Sequence, residues 1–130
     1  WLEPIAMDSA RARLVEALNA KDPYGRLRLY HPYTAGGAPI YVHAKVTVVD
    51  DKVLRVGSSN FNNRSLRLDT ECDVVIDADM TVGQGVRKKI LGIRDALLAE
   101  HLDTDCETIE ATVRETGSLI AAIEKLRGPG

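Results

Sequence analysis

A chain of 130 residues, 45% apolar and 28% charged, is long enough for one domain with a buried core and no more. Its net charge of −2 argues against a dedicated nucleic-acid binder, which usually carries a basic excess, and leaves room for a local basic groove. No apolar run approaches the ~20 residues of a membrane span; no signal segment is visible, which says nothing of a longer parent, and the expected location is cytoplasmic or peripheral to a membrane. Aromatic residues are few, so the core is expected to be aliphatic. Cys72 and Cys106 are far apart and in no ligand-like spacing. They predict neither a disulfide framework nor, with three scattered histidines, a zinc site. Trp1 in place of an initiating Met, and the loop-like close Arg127-Gly128-Pro129-Gly130, predict that residues 1–130 are one domain cut from a longer chain.

In chain order, Leu14, Val15 and Leu18 form a stripe at helical spacing, predicting a helix from Ser9 to Ala20 that Asp8 or Ser9 caps. Asp22-Pro23-Tyr24-Gly25 is a turn. Arg26–Tyr30 alternates polar and apolar residues and predicts a half-buried strand. A Gly- and Pro-containing loop follows from His31 to Pro39. Ile40–Val49, rich in β-branched residues, is the strongest strand signal. Asp50-Asp51-Lys52 interrupts it and Val53–Val56 resumes it, which predicts a hairpin. Gly57–Ser65 is small and polar, and Glu71–Ile76 reads as another strand. Val86, Ile90, Ile93 and Leu97 mark a helix reaching about Leu102. Thr104-Asp105-Cys106-Glu107 fits a capping box for a helix with Ile109 and Val113 on its apolar face. Gly117 stops that helix, and Ser118–Leu126 forms a last short one. The predicted class is α/β: a mixed β-sheet with helices packed on it and further helices at the C-terminus.

The chemistry concentrates in HAKVTVVDDKVLRVGSSNFNNRS, His43 to Ser65. His43 and Lys45 stand two apart on a strand and share a face, while Val46 and Val48 point to the other side. With the turn centred between Asp51 and Lys52, His43 falls opposite Asn60 and Lys45 opposite Ser58. A two- or four-residue loop preserves that pairing; an odd loop or a bulge spoils it. The patch would then gather an imidazole, an ammonium, a hydroxyl and a carboxamide. Such a set suits phosphoryl chemistry. The imidazole attacks phosphorus or moves a proton, the ammonium neutralises a phosphate oxygen, and the donors hold the remaining oxygens. No part of the set calls for a metal or a cofactor. A lone His-x-Lys on a strand is more often a chance pair on a solvated face; the longer string is what carries specificity.

That string, HxKxxxxD followed by GSxN, resembles the signature of the phospholipase D superfamily: His43, Lys45, Asp50, then Gly57, Ser58 and Asn60. The continuation NNRSLRLDTECDVVI is similar to the two-motif, eukaryote-like phospholipases D, and so is LLAEHL, Leu97 to Leu102. The resemblance extends over most of residues 1–103. It implies a phospholipase D-like fold and two HKD motifs meeting at one site. One histidine would form a phosphohistidine, and the other would protonate the leaving alcohol and then activate water or a second alcohol. It also implies His43 and Lys45 as the catalytic pair, Ser58 and Asn60 as phosphate supports, Asp50 as a mainly structural end to the motif strand, and Glu71 as a carboxylate that orients the histidine.

Only one HKD string is present, since neither His31 nor His101 is followed by a Lys two residues on. His31 reads as a loop residue, and His101 as a helix C-terminal residue favoured there by the helix dipole. The expected partners are therefore a phospholipid substrate and a second HKD half, N-terminal in the parent chain or, less favoured, a homodimer mate. A peripheral membrane contact is also expected, and nucleic acid is not. The main reading is phospholipase D-type hydrolysis or transphosphatidylation. The alternatives are a cardiolipin synthase-like phosphatidyltransferase, a one-motif homodimeric endonuclease and a non-catalytic scaffold. The early motif position and near-neutral charge disfavour the nuclease, and retention of the whole set disfavours the scaffold.

Overall fold

The computed structural model describes residues 3–128, with side chains from residue 10 onward. The chain divides into two compact units, Trp1–His31 and Pro32–Gly130. Trp1, Pro129 and Gly130, which figure in the expected chain ends, lie outside the described residues.

The first unit is built on α1 (Glu3–Asn19). Its start at Glu3 makes Asp8 and Ser9 interior helix positions, so neither caps it as the sequence suggested. Leu14 and Leu18 of the expected apolar stripe are exposed and Val15 is half-buried. The turn after the helix forms as expected. Gly25 takes φ 61°, and Asp22 Oδ2 accepts from the Leu27 amide at 2.6 Å. Arg26–Tyr30, expected as a strand, forms none. Alternation alone cannot make a strand, which needs a second backbone to bond; in this unit the regular element is a helix.

In the second unit, β1 (Lys45–Val49), β2 (Val53–Gly57) and β3 (Asp73–Asp77) form a sheet of order β1-β2-β3 with both pairings antiparallel. The class is α/β as read from the sequence, and the strands of the described residues all pair antiparallel. β1 begins at Lys45 and not at Ile40, because β2 ends opposite it at Gly57. Beyond that point the Ser58 amide bonds to the Cys72 carbonyl on the β3 side, at 3.1 Å. Residues 40–44 therefore precede the ladder, and His43 with them.

The hairpin loop has three residues, Asp50-Asp51-Lys52, closed by the Val49–Val53 pair and a Lys52 N–H···O=C Val49 bond of 3.1 Å. Asp50 takes φ 51°, a left-handed conformation that aspartate tolerates better than most residues. This odd loop shifts the register by one from the expected pairing. Lys45 faces Gly57 instead of Ser58.

Four helices complete this unit. α2 (Asn63–Arg67) forms where the sequence suggested only small polar residues; Asn62 caps it by accepting from the Ser65 amide at 2.8 Å. α3 (Val86–His101) packs on α4 (Cys106–Thr116), and α4 on α5 (Leu119–Leu126). The α4 cap is Asp105, which accepts from the Thr108 amide at 2.7 Å, one residue later than the expected box. Gly117 ends α4 at φ 65°, and Ser118 caps α5. Of the α3 stripe read from sequence, Ile90 is buried but Ile93 and Leu97 are 41% and 36% exposed. The buried face runs instead through Ile90, Asp95 and Ala99. Asp95 can enter because Arg94 pairs with it at 2.6 Å, which satisfies a charge that would otherwise be costly to bury. The buried apolar residues are Leu54, Ile90, Ala99, Ile109 and Ala122, so the described core is aliphatic and gathers mainly on the C-terminal helices. Burial of a side chain such as Ile90 or Ile109 contributes about 1.5–3 kcal/mol.

Candidate active site

Pleating places Lys45 and Thr47 of β1, Arg55 of β2 and Asp73 and Val75 of β3 on one face of the sheet. One row across the three strands is Lys45–Gly57–Asp73, and the next is Thr47–Arg55–Val75. Gly57 thus leaves a gap between a cation and a carboxylate. The gap is filled from one side. A Cβ on Gly57 would lie 1.8 Å from Asp73 Oδ1 and 2.6 Å from the Cys72 carbonyl oxygen. Gly57 is required here by close approach, not by its backbone angles.

His43 is exposed just ahead of β1. Lys45 Nζ approaches its Nε2 at 3.0 Å and its carbonyl oxygen at 2.8 Å, and the Tyr41 ring stacks on the imidazole at 5.9 Å between centroids. The His–Lys pair expected from the sequence is therefore in direct contact. Asn60 joins Lys45, with Thr47, Ser59 and Phe61, around an open hollow of about 210 Å³. This is below the ~300–1,000 Å³ of sites that enclose a whole small molecule, so the hollow would hold only part of a substrate.

Ser58 goes elsewhere. Its Oγ donates to Glu71 Oε2 at 2.5 Å and accepts from the Cys72 amide at 3.0 Å. The Glu71 carboxyl is held below its usual range, first by the Ser58 hydroxyl, then by that of Ser65, with a smaller contribution from the Lys45 charge. The carboxylate thus meets two hydroxyls and feels the ammonium; its side-chain hydrogen bond is to Ser58, and the bond to His43 that the resemblance implied is not formed. Asp50 sits exposed in the hairpin turn. Its neighbour Asp51 makes the ion pair, to Arg87 of α3 at 2.7 Å; Arg87 also pairs with Asp79, which pairs in turn with Lys52. This cluster ties the turn to the start of α3.

A second network was not read from the sequence. Asp73 accepts from the Ser59 hydroxyl, from the Ser59 amide at 3.3 Å and from Arg55 Nη2 at 2.9 Å. Ser59 is only 3% exposed, and the Arg55 guanidinium lies 5.6 Å from the centre of the Phe61 ring. These bonds hold the carboxyl of Asp73 below its usual range, Ser59 first and Arg55 second. The signal available in the sequence was an arginine breaking an apolar strand, but its partner could be named only once the register was known.

His31 and His101 are exposed, the first in the loop region and the second in the last turn of α3, as expected. Both cysteines are free. Among the described residues no group of three or more His, Cys, Asp or Glu could hold a metal ion, and no helix is long and apolar enough to cross a membrane.

Comparison with known proteins agrees with the motif. Residues 8–91 match the family described as "Cardiolipin synthase, PLD-like domain". The chain is 40% identical over 67 residues to phospholipase D alpha 1 of Carica papaya, covering 48% of the chain and 8% of that protein. It is 36% identical over 80 residues to phospholipase D1 of Schizosaccharomyces pombe, covering 55% and 6%. It is 38% identical over 88 residues to phospholipase D zeta 2 of Arabidopsis thaliana, covering 61% and 8%. The chain thus spans less than a tenth of the length of these relatives. No solved structure gives a significant match. With the family match extending over more than half of its length, the chain belongs to the phospholipase D-like domain family.

Proposed function

We propose that this chain supplies one HKD half of a phosphodiesterase that cleaves phospholipid headgroups, by hydrolysis or by transfer to another alcohol. The observation that carries the reading is the contact of Lys45 Nζ with His43 Nε2, Lys45 itself lining a hollow together with Asn60. An ammonium beside an imidazole matches the charge that develops on a phosphodiester as it is attacked.

In this mechanism one imidazole attacks phosphorus while a second, protonated imidazole gives its proton to the departing alkoxide. A phosphohistidine results. The second imidazole, now neutral, removes a proton from water or an alcohol, whose oxygen displaces the histidine from phosphorus. Lys45 neutralises the phosphate oxygens throughout. Asn60 supports them from the loop. Ser58 is fixed by Glu71 and contributes by holding the loop in shape. The chemistry is complete without a metal or cofactor. The first step needs one neutral and one protonated imidazole together. His43 supplies one, and a second HKD copy supplies the other, from the remainder of a longer parent or, less favoured, from another copy of this chain. The substrate brings the enzyme to a membrane surface, which fits a peripheral location.

A second reading, phosphatidyltransfer of the cardiolipin synthase type, is favoured by the description of the matched family. Both readings use the same catalytic residues and differ in the acceptor. The test is incubation of the intact protein with phospholipid vesicles in the presence and absence of a second alcohol, followed by product analysis. Free headgroup with phosphatidic acid, or exchange of the headgroup for the added alcohol, supports the first reading, and transfer of the phosphatidyl group to the headgroup of another phospholipid supports the second. Absence of all these products, with cleavage of DNA instead, would contradict the proposal.

A further inference from the structure

Resting on the phosphodiesterase reading above, we infer that Asp73 is a positioning residue of the active site, which fixes the Ser58–Asn60 loop through the buried side chain of Ser59. Asn60 is the residue of that loop with a role at the phosphate, Ser58 is held by Glu71, and Ser59 lies between them. Ser59 is 3% exposed and its hydroxyl and amide both donate to the Asp73 carboxylate. Two bonds to one residue fix the backbone direction as well as the side chain, so they determine where the neighbours on either side point.

Three further features agree. The carboxylate lies directly over Gly57, where any Cβ would collide with it. The motif glycine and Asp73 therefore fit as a pair, and the loop leaves β2 by the route the carboxylate permits. Arg55 completes the clamp. Its guanidinium bonds Asp73 at 2.9 Å, approaches the Ser59 carbonyl at 3.5 Å and covers the Phe61 ring. Both ends of the segment from Ser59 to Phe61 are thus held to one carboxylate–guanidinium pair. The hollow beside Lys45 is lined by that same segment: Ser59, Asn60 and Phe61. A loop released from Asp73 would move Asn60 relative to Lys45, and a displacement of ~1 Å can lower a rate by about 100-fold. Asp73 itself does not line the hollow. Its effect on the reaction runs through Ser59.

The experiment uses the intact protein with a chromogenic phosphodiester, comparing Asp73→Asn, Ser59→Ala, the double variant and His43→Ala. Asp73→Asn is expected to lower kcat about 10- to 100-fold. KM should stay within about threefold, as for an interaction that orders the reacting geometry. The double variant should be no slower than the slower single one, because both remove the same clamp. A folded Asp73→Asn protein with unchanged kcat would overturn the inference, and so would independent, multiplicative losses in the double variant. Should Asp73→Asn fail to fold, Ser59→Ala removes only one hydroxyl and decides the matter: a lowered kcat supports the clamp and an unchanged one refutes it. His43→Ala separates the two claims. Full turnover without His43 removes the phosphodiesterase reading itself, whereas an inactive His43→Ala beside a fully active Asp73→Asn removes only the role of Asp73.

Discussion

Lys45 Nζ stands 3.0 Å from His43 Nε2. An ammonium can only donate, so Nε2 is the acceptor and the ring proton of neutral His43 resides on Nδ1. Ring 15N NMR of the anion-free protein should show this tautomer, and Lys45→Met should relax it towards a mixture. A dominant Nε2–H tautomer in the unmodified protein would contradict the contact. The same geometry makes Lys45→Arg a poor substitute. A planar guanidinium cannot occupy the position of a compact ammonium bonded to both His43 Nε2 and its carbonyl. Loss of one such preorganised group is expected to lower kcat by about 10²–10³-fold, read in steady-state turnover.

The hydrogen bond from Ser58 to Glu71 makes stability depend on pH in one direction. The folded-state pKa of Glu71 is lowered, chiefly by Ser58 and then by Ser65, so its ionised form stabilises the fold. That contribution is complete above the ordinary value of 4.5 and is lost as pH falls through the lowered folded value. Glu71→Gln should therefore be less stable than the parent at neutral pH, with the gap closing in the acid range. Urea unfolding across that range measures it; a gap that widens on acidification would refute the assignment.

Two glycines should respond with opposite signs. Gly57→Ala drives a Cβ to within 1.8 Å of Asp73 Oδ1 and should destabilise by about 1–3 kcal/mol, the usual result of overpacking. Gly92 lies inside α3 with nothing within 4 Å of an added Cβ. Gly92→Ala should stabilise by about 0.5–1 kcal/mol, because alanine loses less backbone entropy in a helix. Equilibrium unfolding of both variants checks the pair.

The hairpin and the three C-terminal helices were legible because their signals are local: β-branched runs, apolar periodicity, Gly117 and Ser118. The register was not. Asp50-Asp51-Lys52 carries no glycine or asparagine to announce a left-handed residue, yet Asp50 takes φ 51° and makes the loop odd. That single residue moves Lys45 from Ser58 to Gly57. Asp73 was missed for another reason. Inside the strand read from Glu71 to Ile76 it looks like an ordinary solvated residue, and its partners Arg55 and Ser59 lie 18 and 14 positions away. The family motif named residues by spacing, which survives an error of register; the contacts among them do not.

The 130-residue chain by itself, when monodisperse and monomeric, is expected to show no phosphodiester turnover. His43 cannot be neutral nucleophile and acid in one step, and His31 and His101 stand in no motif. Activity rising with the square of protein concentration would indicate that two copies complete one site, while His43-dependent activity from a confirmed monomer would refute the need for a second motif.

The most direct measurement of the central claim is turnover of a chromogenic phosphodiester by the intact protein and by its His43→Ala variant, with the fold of both verified by circular dichroism. A loss of roughly 10³-fold or more is expected, as for removal of a nucleophile or its acid–base partner. A folded His43→Ala protein that retains turnover within about tenfold of the parent would contradict it, since removing a general acid or base alone typically costs 10²–10⁴-fold.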